Sequence, residues 1–263
     1  PSKVLTSADL NKKVFGQSLD NAVTKNARAR GLANVGVMNN EDRIDVRLED
    51  MRAEALFDAK LTIDGEGYDS TITFPRKASH TYITPAGSNW DEAGQDAKGD
   101  IVTFLTLLAQ SGRTGTHIIG DQVTASTLSA LVATETDFRR VENGSLKFQS
   151  FLLVSGAIYY GTYLNVEIWG YDGTHTNDAG ATVKSVPAKK IVMLSAVNSN
   201  EMSFGYASDI QLELDLALSV TVSNRNVITK LISNRSSVEI ESTLTAAPLL
   251  KDGNSTLVAT VLA

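Results

Sequence analysis

The sequence predicts an α+β fold. Three features lead there: a long, heavily charged helix signal over about 40–59, a helix–strand–helix succession over about 98–134, and apolar or alternating strands from Phe151 to the last residue.

Residues 1–38 are small, polar and dotted with Gly and Asn, with scattered helical signals such as SADLNKKVFGQ. Asn39 is placed to cap a helix, with Asp42 in its first turn. Ile44, Leu48, Met51 and Ala55 then recur at i, i+4, i+7 and i+11, which makes one apolar stripe. The other faces carry Arg43, Asp45, Arg47, Glu49, Asp50, Arg52 and Glu54. Arg47 with Asp50, and Glu49 with Arg52, stand one turn apart, each pair worth a few tenths of a kcal/mol. A helix over 40–59 would be roughly 30 Å long. So narrow a stripe suits a strut on a thin layer better than a buried core helix.

KLTID and YDSTITF, on either side of Gly65–Gly67, alternate with period two, and the DGEG between them supplies the positive-φ positions a hairpin turn needs. Pro75 has no amide donor and stops the second strand. Pro85–Gly99 is a loop by composition. Asp100 is expected to cap the helix IVTFLTLLAQS, and Gly112 to end it as a C′ glycine. THIIG (116–120) reads as a buried strand, and Asp121 as the cap of a second helix running to about Thr134. GAIYYGTYLNVEIWGY reads as two strands hinged at Gly161. Asp172–Ser185 reads as a polar loop with no core residues, and AKKIVMLSA as a strand. SFGYASDIQLELDLALSVTVS and SSVEIESTLTAAPLL follow as strands. The last residues, STLVATVLA, are apolar to the end; such a terminus must be docked, because free ends are normally polar. No internal repeat is present.

Composition bounds the function. The chain has 263 residues, enough for one large domain or two intimate ones, and no cysteine, so disulfides, thiol catalysis and thiolate metal sites are excluded. The formal net charge is −6, and Lys25, Arg28 and Arg30 make the nearest thing to a basic cluster. A sequence-independent grip on nucleic acid needs far more. The N-terminus has no apolar signal region, and Phe151–Tyr160 is too short to span a bilayer, so the chain reads as a soluble protein.

The motif tests assign no catalytic, cofactor-binding or metal residue. An EF-hand counted from Asp64 needs Gly at position 6 and Glu at 12, where Asp69 and Pro75 stand. SGRTGTH lacks the Gly-Lys-Ser/Thr ending of a phosphate loop and follows a helix instead of a strand. His80, His117 and His175 fall in separate regions, none with a second ligand at i+2 to i+4. No Gly-x-Ser-x-Gly elbow occurs. Asn143, Asn234 and Asn254 match the glycosylation pattern, which means little without a secretory route. An enzyme reading stays open in one form: His117 or His175 beside Asp121 or Asp172 in a cleft.

The order of motifs resembles the lambda-type major capsid protein E family of tailed bacteriophages, over about 40–263. The shared order is the charged helix, KLTIDGEGYD, TPAGSNWDEAGQDAKGDIVTFLTLL, LVSGAIYYGTYLNVEIWGYDG and the ending STLTAAPLLKDGNSTLVATVLA. The resemblance implies the Hong Kong 97 major capsid fold: a peripheral domain of long spine helix and β-sheet (39–97 and 200–250) and an axial α/β domain (98–199 and 251–263), after an N-terminal segment (1–38). The 172–185 loop would point to the capsomer centre. It also implies a non-enzymatic virion protein, made in the host cytoplasm, that assembles with itself into hexamers and pentamers of an icosahedral shell. Scaffold, decoration and portal proteins would be its other partners, with no cofactor, no membrane and no sequence-specific nucleic acid. The family's N-terminal arm and long extended loop have no counterpart of that length before the helix, as in a short version of the family or a trimmed or engineered chain. The alternative from the same class is another virion component, a tail-tube or decoration protein.

Overall fold

The computed structural model describes residues 2–6, 25–65, 68–135, 137–139, 156–176, 181–195, 200–204, 219–222, 227–233 and 237–263. By contacts the chain divides into two compact units. The first comprises Pro1–Glu49 and Met202–Ala247, the second Asp50–Glu201 and Pro248–Ala263.

In the first unit, β1 (Ser2–Thr6), β13 (Ser219–Val222), β14 (Ile228–Ser233) and β15 (Ser237–Thr243) form an antiparallel sheet in the order β1-β15-β14-β13. The N-terminal part of helix α1 (Lys25–Asp58) belongs to this unit. The helix begins far ahead of Asn39, which lies in mid-helix instead of capping it. Its buried stripe extends backwards from Ile44 through Asn40 and Gly36, neither of which carries a hydrophobic signal. Asn40 is 1% exposed, and its amide donates to the Ile240 carbonyl at 3.2 Å and the Ser242 hydroxyl at 3.4 Å. Thr229 shares a hydrogen bond with Ser242 at 3.0 Å. A polar seam thus fixes the helix where an apolar stripe would not. At 34 residues the helix is about 50 Å long.

The second unit is built on a seven-stranded mixed sheet, in the order β4-β17-β11-β5-β8-β7-β6. Its strands are β4 (Thr81–Ile83), β5 (Gly115–Gly120), β6 (Phe138–Arg139), β7 (Ala157–Tyr163), β8 (Val166–Tyr171), β11 (Lys190–Ser195) and β17 (Thr256–Thr260). β17 runs parallel to β4, and β5 parallel to β8; the other neighbours are antiparallel. Helices α2 (Ala97–Gln110) and α3 (Gln122–Val132) cover one face. Ile101, Phe104 and Leu108 of α2 and Ala125, Leu128 and Val132 of α3 meet Ile118, Ile168, Ile191, Met193 and Leu257 in the main core. Gly120 and Gly170 are register partners on β5 and β8. A Cβ on Gly170 would stand 3.2 Å from both Ala125 and the Gln122 backbone, so the glycine lets α3 lie close on the sheet. On the other face Phe57, from the end of α1, packs with Val186, Val192 and Val258.

The two units therefore part within α1. Residues 50–97 cluster with the second unit, because Phe57 enters its core and β4 joins its sheet.

β2 (Lys60–Gly65) and β3 (Tyr68–Thr73) form the expected hairpin, with Asp64 opposite Asp69. Glu66 and Gly67 lie outside the described residues. Thr62 bonds back to Glu54 through its amide at 3.2 Å and its hydroxyl at 2.7 Å.

Three local expectations are corrected. Helix α2 is capped by Asp96, whose side chain accepts from the Gly99 amide at 3.0 Å; Asp100 lies inside the first turn with its carboxylate engaged elsewhere. The β7–β8 turn falls at Leu164 and Asn165, both with positive φ (50° and 62°), while Gly161 sits within β7 at a register shift. The Asp172–Ser185 segment contains a short ladder of β9 (Thr174–Thr176) with β10 (Thr182–Lys184), and it ends on the buried Ser185. Gly112 does end α2, at φ 70°, with Gly112 N donating to Ala109 O and Arg113 N to Leu108 O, a Schellman pair. β12 (Asn200–Phe204) pairs with β16 (Ala246–Leu250) in a separate ladder.

Candidate functional site

In the second unit a set of polar contacts among the described residues surrounds the C-terminal strand. β17 is inserted between β4 and β11, and the segment before α2 fastens it. Thr84 N donates to Thr260 O at 3.1 Å and Trp90 N to Val261 O at 2.8 Å. Ala263 N donates to Asp91 Oδ1 at 3.1 Å. The Trp90 ring is 2% exposed, and its Nε1 donates to Asp100 Oδ2 at 2.9 Å. Tyr82 Oη donates to the other oxygen of Asp100 at 3.3 Å, and its ring meets Phe104 edge-on at 5.1 Å. Below the strand, Arg113 donates through Nε (3.0 Å) and Nη2 (2.6 Å) to Asp252 Oδ2, which fixes the turn leading into β17. Arg76 donates to the carbonyls of Leu56 and Phe57, which closes the end of α1; burial lowers its pKa to about 10, with Asp58 opposing.

Burial raises the Asp100 carboxyl above its ordinary value of 3.8; the bonds from Trp90 and Tyr82 oppose the rise. The folded chain therefore holds a proton there at a pH where the unfolded chain has lost it. This contribution is complete below the unfolded value and is lost as pH rises through the folded one. Asp100→Asn keeps an acceptor for Trp90 and removes the half-buried charge. Its melting temperature is expected to exceed the parent's at pH 7 and to converge with it at pH 3. A variant less stable at both values would contradict this origin of the shift.

The histidines separate. His80 is buried; its Nδ1 lies 3.0 Å from Thr256 O and its Nε2 3.1 Å from Ser111 Oγ. A carbonyl only accepts, so Nδ1 carries the proton and Ser111 donates to Nε2. His117 is half exposed, 3.5 Å from Glu167 and 2.8 Å from Thr116 Oγ1. His175 faces Asp50 at 3.6 Å. The pairings with Asp121 or Asp172 are not formed. Asp121 accepts from the Thr124 hydroxyl and Asp172 pairs with Lys184 at 2.7 Å, because each carboxylate has a nearer donor on its own segment. Among the described residues no three His, Asp or Glu side chains gather as a metal set, and no helix is long and apolar enough to cross a membrane. Around the C-terminal strand the arrangement is one of fastening: the groups of Trp90, Asp91, Arg113 and His80 tie distant segments of the fold together. Trp90 and the apolar ending enter the sequence reading as features of a resemblance; the Trp90 bond to Asp100 and the Trp90 contact with Val261 have no local signal.

Comparison with known proteins bears on what such a fold is for. A sequence profile of the family described as phage major capsid protein E matches residues 1–217. A search of curated protein sequences returns no match. Among solved structures the fold is similar to a protein assigned as a prophage capsid protein in E. coli CFT073. The TM-score is 0.78 at 14% identity, over 100% of this chain and 76% of that one. A phage-related protein from Bordetella bronchiseptica RB50 aligns at a TM-score of 0.49 and 9% identity, over 98% and 74% of the two chains. A chain from Mycobacterium phage Patience aligns at 0.49 and 13%, over 99% and 67%. These two scores are too low to carry weight. With most of its length matched by one family and its whole length by one capsid fold, the chain belongs to the phage major capsid protein E family and is a phage or prophage capsid subunit.

Proposed function

We propose that identical copies of this chain group as hexamers and pentamers and close into an icosahedral shell around a genome, with no catalytic step of their own. The family match over residues 1–217 is the observation that carries this reading. In the shell, 39–97 and 200–250 take the peripheral position, and 98–199 and 251–263 the axial one. The 172–185 segment points toward the capsomer centre. Scaffold, decoration and portal proteins are the further partners. The chain is made in the host cytoplasm and ends in the virion.

Electrostatics set the conditions. Each copy carries −6, so a capsomer accumulates like charge that opposes close packing. Screening acts over about 8 Å at physiological ionic strength. Assembly is therefore expected to strengthen from low to moderate salt. Light scattering of the purified chain across a salt series tests this; scattering that falls steadily with added salt would count against it.

A further inference from the structure

We propose that the outward face of α2 and α3 is a contact surface for a second copy of this chain. The inference rests on the shell reading and adds to it a place. No charged residue occurs from Ile101 to Gly112 or from Gln122 to Thr134, in a chain that is 21% charged and whose α1 is heavily charged. Yet this face is not buried within the subunit: Val102 is 51% exposed and Val123 58%. Exposed helix positions ordinarily favour Glu, Lys and Arg, which stabilise the helix and keep the surface soluble. Here Val and Thr stand in their place, at a cost in helix propensity.

The hydroxyls of this face are already engaged. Thr103 donates to Gly99 O at 2.9 Å and Thr106 to Val102 O at 2.8 Å. Ser126 and Thr127 both donate to Val123 O at 2.9 Å. Donors satisfied on their own helix lose little when water leaves, so the face can be covered without orphaning polar groups. At its edges the charges are paired within the subunit, Lys98 with Glu135 and Arg113 with Asp252.

The occupant follows from charge. Between its edges, where Lys98 and Arg113 are already paired, this face holds no Lys or Arg to neutralise phosphates, so it does not suit nucleic acid. For copies that each carry −6, an uncharged face is where close approach avoids like-charge repulsion. Two helices roughly 20 Å long and about 10 Å apart present on the order of 400 Å², against about 800 Å² per partner in a standard interface. That is one contact among the several a ring of copies makes. In a ring the contact is heterologous, so the neighbour presents a different surface to it.

Two variants of the full chain test this. Val123→Glu is expected to leave the circular dichroism and melting temperature of the dispersed subunit unchanged and to raise the concentration needed for assembly at least tenfold, while Val123→Thr assembles as the parent does. Because the chain has no cysteine, Val123→Cys gives a single thiol; maleimide labelling of it is expected to be at least tenfold slower in particles than in dispersed subunits. Particles that form from Val123→Glu at the parent's threshold, or that label at the dispersed rate, would overturn this contact and leave the shell reading intact. A parent chain that never forms particles would overturn both.

Discussion

A chain ended after Ser255 is expected not to fold its second unit. The lost residues include β17, which is an interior strand of the seven-stranded sheet: five register pairs join it to β11 and three to β4. Leu257, Val258, Val261 and Leu262 are all buried. At about 1.5–3 kcal/mol for each buried Leu or Val, these four contribute roughly 6–12 kcal/mol, comparable with the whole stability of a typical domain, about 5–15 kcal/mol. The truncation also exposes the facing edges of β4 and β11 to pairing with other chains. The expected outcome is insoluble protein or, if soluble, a chain without a cooperative thermal transition by circular dichroism. A truncated chain that melts cooperatively near the parent's temperature would show that β17 is dispensable.

Trp90→Ala should cost about 3–5 kcal/mol, the usual range for deleting a buried large aromatic side chain. Two effects add. The ring is almost wholly buried in the main core, and its Nε1 is the closer of the two side-chain donors to Asp100. Removing it leaves a cavity and a half-satisfied carboxylate. For a domain of this size the melting temperature is expected to fall by roughly 10 °C or more. Trp90→Phe weights the terms differently: it retains most of the buried ring volume and loses the donor. Its fall should be a fraction of that seen with Ala and should shrink further when combined with Asp100→Asn, since a neutral amide tolerates the loss better. Equal falls for Phe and Ala would mean that the hydrogen bond, and not the packing, dominates.

Local order was far more legible in the sequence than long-range pairing. The stripe Ile44–Leu48–Met51–Ala55 identified α1, and its spacing alone sufficed. The start of the helix was hidden because its next two inward positions are Asn40 and Gly36, an amide bonded to a distant strand and a residue with no side chain. Asp96 and Asp100 stand four residues apart and both precede apolar residues; only the geometry of the Gly99 amide decides which one caps. Gly161 offered the obvious hinge, while the real turn uses Leu164 in a left-handed conformation that sequence rules reserve for Gly and Asn. The docked C-terminus was legible from its apolarity, but its insertion between β4 and β11 was not, since it depends on residues far apart in the chain. The same limit applied to the histidines: His175 meets Asp50 and His80 meets Thr256 across gaps that no motif spans. The absence of charge on α2 and α3 was present in the sequence all along. It became meaningful only when the fold turned that face outward.

Copies of this chain are expected to build a closed shell without other proteins. Electron microscopy of the purified chain, concentrated at moderate salt, tests it most directly. Closed particles of uniform diameter are expected, with five- and six-fold capsomers resolved after averaging. Tubes or isolated rings would point to another virion component, and a chain that stays monomeric at every concentration and salt would contradict the claim.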